Sequence, residues 1–166
     1  MDRTREYSWS DPMISAGALP GRSGLDLLRG LVSGELPAPP MADTLGFEIV
    51  EADEGRVVFT FTPAEYHYNP MGFVHGGAVA TVLDTAAAAC VQTLLPAGTS
   101  MTSVDLTVKY LRPVTADSGP LRAVGTVLSK GRRTALGQAE LRDATGKLVA
   151  HATATCLLLE IKQSEV

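Results

Sequence analysis

The chain has 166 residues, 45% of them hydrophobic and 19% charged, a composition that favours a folded domain with a sizeable core over global disorder. Its net charge of −4 argues against nucleic acid as the main partner, because neutralising phosphates requires an excess of Lys and Arg. The length fits one domain, or one domain with an extension.

The sequence also bears on the compartment. The first residues, MDRTREYSWSDP, are charged and lack the apolar segment of a secretory signal. The longest apolar run, residues 77–95, contains Asp84 and is interpreted as a buried helix rather than a membrane span. Cys90 and Cys156 lie in apolar surroundings outside any CxxC pair, which is typical of reduced core thiols. We therefore expect a cytoplasmic protein with no membrane association.

Residues 1–40 are predicted to form an N-terminal extension. Residues 8–24 are rich in Gly, Pro and Ser and are expected to be irregular. Ser23 is a helix start signal, and the apolar spacing that follows predicts a short amphipathic helix, ended by PAPP at 37–40. The apolar residues of that helix are Leu25, Leu28, Leu31 and Val32.

A domain is predicted over residues 41–162. It begins with two strands joined by a turn at Asp53–Gly55, followed by a helix over about 77–95. Four further strand-like segments follow, the first being MTSVDLTVKYLRPV at 101–114 and the last two joined by the hairpin turn DATGK. One long helix against an antiparallel sheet of about six strands gives an α+β fold.

The segment NPMGFVHGG at 69–77 leads into the long helix. Its Pro and Gly residues permit a tight backbone path and a close approach to a ligand. The first N–H groups of a helix lack internal partners, so they can bind an anion or a carbonyl oxygen that gains negative charge in a transition state. The alternative is that these glycines only turn the chain into the helix.

Asp84 is the only charged residue between Gly76 and Leu95. If Asp84 lies on a solvent-exposed face of the helix, its charge needs no functional explanation. If it lies beside small residues that leave room for a ligand, its carboxylate is a candidate base or nucleophile. Gly76 and Asp84 are eight residues apart, about 12 Å along a helix axis. Either the two residues are unrelated, or they act together only across two subunits of an obligate oligomer.

The histidines suggest structural roles. The sequence contains no GxSxG motif, and His67, His75 and His151 do not have the spacing of a metal site such as HExxH. His75 precedes two glycines, where its imidazole can fix the turn by a hydrogen bond. His67 and His151 are interpreted as surface or hydrogen-bonded residues.

The string Asn-x-x-Gly-x-x-His-Gly-Gly-x₆-Asp, followed by SMTSVDLTVKYLRPV, resembles the hotdog-fold acyl-CoA thioesterases of the phenylacetate-pathway, or PaaI-like, branch. The resemblance covers about residues 41–160. It implies a helix wrapped by a curved antiparallel sheet, dimers with one continuous sheet, and usually tetramers. It implies hydrolysis of an acyl-CoA thioester without a metal or other cofactor.

The resemblance also implies roles for five residues. The Gly76 N–H would polarise the thioester carbonyl, and Asp84 of the neighbouring subunit would activate water or attack directly. Asn69 would orient the water or the carboxylate. Ser103 would support the water beside Asp84, and His75 would hold the loop.

CoA would further require basic residues for its phosphates, and an apolar pocket for its acyl group. The candidate phosphate ligands lie in the turn SKGRR and in the segment YLRP; they are Lys130, Arg132, Arg133 and Arg112. A basic turn can also be simply a solvated loop. The candidate pocket residues suit either aryl-acetyl or medium-chain acyl groups; they are Tyr66, Tyr68, Met71, Phe73, Ala87 and Ala88.

Two other functions fit parts of this pattern. A hotdog hydratase or dehydratase pairs a catalytic His with an acid on the central helix, and the Asn-Pro and Gly-Gly elements favour hydrolysis instead. A non-catalytic acyl-CoA-binding module is the second alternative, against which Asp84 and Asn69 argue.

Overall fold

The computed structural model describes residues 2–161, so Lys162, the last residue of the predicted domain, lies outside the described residues. The α-helices are α1 (Pro12–Ala18), α2 (Gly24–Ser33), α3 (Pro40–Leu45) and α4 (Gly76–Gln92). The strands are β1 (Phe47–Asp53), β2 (Arg56–Phe61), β3 (Thr99–Ser103), β4 (Thr107–Tyr110), β5 (Leu121–Lys130), β6 (Thr134–Arg142) and β7 (Leu148–Glu160).

The strands form one antiparallel sheet in the order β1-β2-β5-β6-β7-β3, with β4 also paired to β7. Helix α4 packs mainly against β5, β6 and β7, and the core lies between them. The predicted α+β hotdog fold is thereby confirmed.

Two glycines let α4 lie unusually close to the sheet. A Cβ built on Gly125 of β5 would lie 2.0 Å from the Ala86 carbonyl oxygen. A Cβ on Gly137 of β6 would lie 2.0 Å from the Ala87 oxygen. Since both oxygens belong to the backbone of α4, no side chain can occupy these sheet positions without moving the helix.

The predicted count of about six strands is wrong, because the segment 101–114 forms two strands rather than one. Strands β3 and β4 pair with successive parts of β7 and are separated by residues 104–106. At the break, the Asp105 carboxylate accepts a hydrogen bond from the Thr155 N–H at 3.1 Å. A side-chain oxygen thus takes the place of a backbone carbonyl as the acceptor at this point of the β3/β4–β7 pairing. Residues 2–161 therefore form seven strands.

The amphipathic helix predicted after Ser23 is α2. The Ser23 hydroxyl accepts a hydrogen bond from the Asp26 N–H, as expected of a helix cap. Leu28 is buried, but Val32 of the predicted face is exposed and Leu27 is buried instead. The Gly24 N–H donates to the Leu95 carbonyl at 2.9 Å, which fixes the start of α2 at the end of α4.

The segment before α2 is more ordered than the sequence indicates. Helix α1 falls within the range expected to be irregular, because Asp11 accepts from the Met13 N–H and Pro12 suits a first helical position. Further toward the N-terminus, the Arg5 guanidinium donates to the Thr44 carbonyl at 2.6 Å and stacks on the Tyr66 ring at 4.1 Å. The segment therefore lies against the body of the protein.

Cys90 and Cys156 are free and completely buried, as predicted. Burial raises the pKa of the Cys90 thiol to about 12 and that of Cys156 to about 11. Both thiols are therefore protonated and unreactive at neutral pH. No helix within residues 2–161 is long and apolar enough to cross a membrane.

Candidate active site

The start of α4 is fixed by its capping residue, His75. The His75 Nδ1 accepts a hydrogen bond from the Gly77 N–H at 2.8 Å, which is the turn-fixing role proposed for this imidazole. No acceptor for the preceding N–H, that of Gly76, is present among residues 2–161. The Gly76 N–H is thus available at the positive end of a 17-residue helix.

Tyr110 of β4 lies directly against this helix start. Its hydroxyl donates to the Gly76 carbonyl at 2.9 Å, and a Cβ on Gly76 would lie only 3.1 Å from the Tyr110 ring. Both residues line a surface cavity of about 360 Å³ that also includes Arg112 and Val149. Tyr110 is absent from the sequence-based site, because only the fold brings it to Gly76.

Asn69 organises the loop before the helix. Its Oδ1 accepts hydrogen bonds from the Met71 N–H at 2.9 Å and the Phe73 N–H at 3.2 Å. The Asn69 N–H in turn donates to the Phe73 carbonyl at 2.7 Å. Because the amide oxygen is already used by the loop, only the amide NH₂ group is left to meet a water or a carboxylate.

Asp84 and Ser103 form the second half of the candidate site. Both side chains are half-buried, and the Ser103 hydroxyl donates to the Asp84 carboxylate at 2.9 Å. The pair faces away from the deepest part of the core, since Val82 and Leu83 beside it are completely buried. The carboxylate is therefore hydrogen-bonded and still accessible, as a general base or nucleophile must be.

The two halves lie far apart within one chain. Tyr110 pairs with Ala150 of β7, whereas Ser103 pairs with Cys156, six residues further along the same strand. Six residues of a strand span about 20 Å. A group held by the Gly76 N–H therefore cannot reach Asp84 of the same chain, in agreement with the spacing of the two residues along α4.

The candidate phosphate ligands divide between the two halves. Arg112 belongs to the Gly76 end, where its N–H donates to the Val149 carbonyl at 3.1 Å and its guanidinium donates to the Leu148 carbonyl. The turn containing Lys130, Arg132 and Arg133 belongs to the Asp84 end. There the Arg133 carbonyl accepts from the N–H of Leu158, one of the β7 residues that pair with β3, at 2.9 Å.

The candidate acyl-pocket residues are also spread over different surroundings. Tyr68 is half-buried and its hydroxyl accepts from the Ala116 N–H at 2.7 Å, while Met71 and Phe73 are exposed on the loop. Ala87 is completely buried against Gly137, so it is a core residue that no ligand can touch in this arrangement. Ala88, by contrast, lines an apolar cavity on the opposite face of α4.

The remaining histidines are hydrogen-bonded within the fold. The buried His67 ring accepts from the Ala64 N–H at 2.9 Å and donates to the Leu45 carbonyl at 2.8 Å. His151 contacts Gln138 Oε1 at 3.3 Å. Within the described part of the chain, no group of three His, Cys, Asp or Glu residues is arranged to hold a metal ion.

Comparison with known proteins relates this architecture to a family. A model described as "Thioesterase superfamily" matches residues 71–150, a range that contains Gly76, Asp84 and Ser103. The human protein acyl-coenzyme A thioesterase 13 is 30% identical over 128 residues, which cover 74% of this chain and 88% of that protein.

Solved structures agree with the sequence comparison. A phenylacetic acid degradation-related protein from Ralstonia eutropha is 35% identical, with a TM-score of 0.71 over 78% of this chain and 98% of that one. The Escherichia coli PaaI protein, from the phenylacetic acid degradation operon, is 28% identical with a TM-score of 0.67, covering 74% and 88% of the two chains.

The fold, the helix start with its free N–H group, and these relatives together define the class of the protein: it is a thioester hydrolase with a hotdog fold. Within that class, the chain belongs to the Thioesterase superfamily, in its PaaI-like branch.

Proposed function

We propose that the protein hydrolyses acyl-CoA thioesters to free acid and CoA, at a composite site that two subunits build together. The relative named as an acyl-coenzyme A thioesterase supports the substrate class. The observation that carries the composite site is the separation of Gly76 and Asp84, about 12 Å along α4 of one chain, together with the six β7 residues that separate the partners of Tyr110 and Ser103. The free, buried cysteines suit a cytoplasmic enzyme.

The exposed edge of the sheet offers a way to bring the halves together. Strands β3 and β4 end the sheet beside β7, and their edge carries exposed Val104 and Leu106. If two such edges pair antiparallel about a two-fold axis, Tyr110 can lie opposite the partner's Ser103. Both residues face the helix side of the sheet, as residues directly opposite each other must, so this register joins Gly76 to the partner's Asp84.

The same pairing would assemble the phosphate ligands. Arg112 lies beside Gly76, and the turn with Lys130, Arg132 and Arg133 lies at the Asp84 end. Within one chain these groups are at opposite ends of β7, but in the paired arrangement the partner's turn approaches the cavity that contains Arg112. Arginine side chains suit bidentate contacts with phosphate oxygens.

In this site, the Gly76 N–H donates to the thioester carbonyl oxygen and stabilises the negative charge that develops on it. The partner's Asp84 takes a proton from water as the water oxygen attacks the carbonyl carbon, or attacks that carbon itself. The C–S bond then breaks, and the CoA sulfur leaves as a thiolate that is protonated by the medium. After direct attack, water hydrolyses the resulting acyl-enzyme anhydride. The Ser103 hydroxyl holds the carboxylate in place.

Thiol release from a panel of acyl-CoA esters tests the proposal. We expect turnover by the wild type, and a loss of about 10²–10⁴ in kcat for Asp84→Asn, because the amide is neither a base nor a nucleophile. Asp53→Asn, the same change on an exposed residue of the β1–β2 turn, serves as the matched control and should leave the rate unchanged. No thiol release above background with any ester would contradict the proposed activity.

A further inference from the structure

An apolar space lies on the face of α4 that points away from the sheet. It consists of two adjoining surface cavities, of about 570 Å³ and about 320 Å³, lined by α2 and α3 on one side and by α4, β1 and β3 on the other. The residues that line both cavities are Leu28, Leu31, Pro39, Thr85 and Ala89. Three of these five belong to the N-terminal extension, which thus forms a wall of the space rather than a detached tail.

The Asp84–Ser103 pair lies beside this space, since Thr85, the residue after Asp84, lines both cavities. Ala88 follows Asp84 by one helical turn on the same face of α4, and Met101 precedes Ser103 by two residues on the same face of β3. Both Ala88 and Met101 line the smaller cavity. A chain attached to a carbonyl at Asp84 can therefore pass between Ala88 and Met101 and reach the larger cavity beneath α2.

The lining of the smaller cavity selects against polar ligands. Among residues 2–161, no ionisable side chain lines it. Its polar side chains bond to protein groups: the Ser15 hydroxyl donates to the Pro37 carbonyl, and the Thr85 hydroxyl donates to the Thr81 carbonyl. The Gln92 amide contacts the Ser100 hydroxyl and the Thr99 carbonyl. Each of these polar side chains thus already has a hydrogen-bond partner within the protein.

The size of the space argues for a long ligand. A cavity of about 150 Å³ already holds benzene. The larger cavity alone, about 570 Å³, is within the range of ligand pockets and is much larger than one aromatic ring requires. Near the carboxylate the smaller cavity is lined by Thr85, Ala88 and Met101, whose side chains are small or flexible.

We propose that this space binds a medium-chain aliphatic acyl group, and that Leu31 of α2 sets the chain length that fits. The inference rests on the proposed function and extends it from acyl-CoA in general to straight saturated chains of about octanoyl length. Leu31 lines both cavities and is half-buried, whereas Leu28, the other α2 leucine that lines both, is buried in the core. The N-terminal extension is then a specificity element, placed over the acyl chain of the subunit whose Asp84 acts.

The test is the kcat/KM profile over straight-chain esters from acetyl-CoA to dodecanoyl-CoA, with phenylacetyl-CoA for comparison. Each buried methylene is worth about 0.8 kcal/mol, so we expect kcat/KM of the wild type to rise up to about fourfold per methylene to octanoyl. Leu31→Trp fills the space, and should lower kcat/KM at least tenfold for octanoyl-CoA but less than threefold for acetyl-CoA. Leu31→Ala should extend the profile to longer chains.

Leu128→Trp is the matched control, since Leu128 is half-exposed on β5 and lies outside both cavities. It should keep the wild-type profile, and Leu31→Phe replaces Leu31→Trp if the latter does not fold by circular dichroism. A wild-type profile that does not rise with chain length, or an equal loss by Leu31→Trp for acetyl and octanoyl esters, would overturn the inference while leaving the thioesterase activity intact.

Titration calorimetry with octanoate separates this inference from the proposed function. If the wild type hydrolyses no ester, the proposed function fails, and octanoate binding still decides whether the space takes an aliphatic chain. Binding by the wild type that Leu31→Trp weakens at least tenfold supports the inference. Absence of binding overturns it.

Discussion

At the scale of single residues, Gly76 is held by contacts from both of its sides. His75 fixes the first turn through the Gly77 N–H, and Tyr110 fixes the Gly76 carbonyl. The role of His75 follows from its position before two glycines, so it could be predicted from the sequence. The role of Tyr110 could not be predicted, because Tyr110 lies 34 residues after Gly76. In the sequence it is only one member of the alternating pattern of a strand.

Replacing Gly76 with Pro tests whether its N–H group is used in catalysis. Proline is tolerated at the first position of a helix, so the variant removes the N–H while keeping α4. We expect kcat to fall by about 10²–10³, the usual cost of losing one donor to a developing oxyanion. The measurement is thiol release under saturating ester.

Gly76→Ala is the control, because it adds the same Cβ against Tyr110 but keeps the N–H. It should retain most of the activity that Gly76→Pro loses. Equal losses in the two variants would mean that crowding at Tyr110, rather than the missing donor, causes the effect.

At the scale of secondary-structure elements, the close contact between α4 and the sheet depends on glycine. Gly137→Ala places a Cβ against the Ala87 carbonyl, and we expect it to lower the free energy of unfolding by about 3 kcal/mol or more. Urea denaturation measures the difference. Gly17→Ala in α1, where no atom lies within 4 Å of the added Cβ, should not destabilise the protein. Similar stability of the two variants would contradict the close packing.

His67 makes the stability of the fold dependent on pH. Burial lowers the pKa of its imidazole, more than the hydrogen bond to the Leu45 carbonyl raises it. The unfolded chain, with an ordinary pKa of about 6.5, therefore binds a proton before the folded chain does. The contribution of neutral His67 to the free energy of unfolding is fully present above about pH 6.5. It is lost as the pH falls toward the lower pKa of the folded state.

We accordingly expect the free energy of unfolding to decrease between pH 7.5 and 5.0, as measured by urea denaturation. His67→Gln should be less stable at pH 7.5 but should show a smaller decrease over the same range. The ordinary pKa values of the acidic groups with lowered pKa, Glu35, Glu51 and Asp143, lie at about 4–4.5, below this range. An identical slope in wild type and variant would rule out His67 as the source.

Long periodic elements could be predicted from the sequence, and irregular ones could not. Helix α4 and the strands follow from apolar periodicity and turn residues. The break between β3 and β4 does not, because the alternation of residues continues through it while the Asp105 carboxylate takes over a backbone contact. The burial of Ala87 could not be predicted for a related reason. The side of this Ala-rich helix that meets the sheet packs against Gly125 and Gly137, and both glycines are far from Ala87 in the sequence.

At the scale of the whole molecule, the proposed site requires two copies of the chain. The distance between Gly76 and Asp84 could be derived from helix geometry alone, and the positions of Tyr110 and Ser103 along β7 lead to the same requirement. The proposed path of the acyl chain could not be derived, because it depends on where α2 packs in the fold. That placement involves the packing of α2 against β1, and a hydrogen bond and close backbone contact of Gly24 with the end of α4.

A mixed dimer tests the composite site most directly. One subunit carries Gly76→Pro and the other Asp84→Asn, and the mixed species is purified through a different tag on each subunit. One of its two sites then combines both substitutions, while the other combines an intact Gly76 with an intact Asp84 from the partner. We predict about half of the wild-type thiol release per dimer, although each parent variant is nearly inactive. A mixed dimer no more active than its parents would contradict a site shared between subunits.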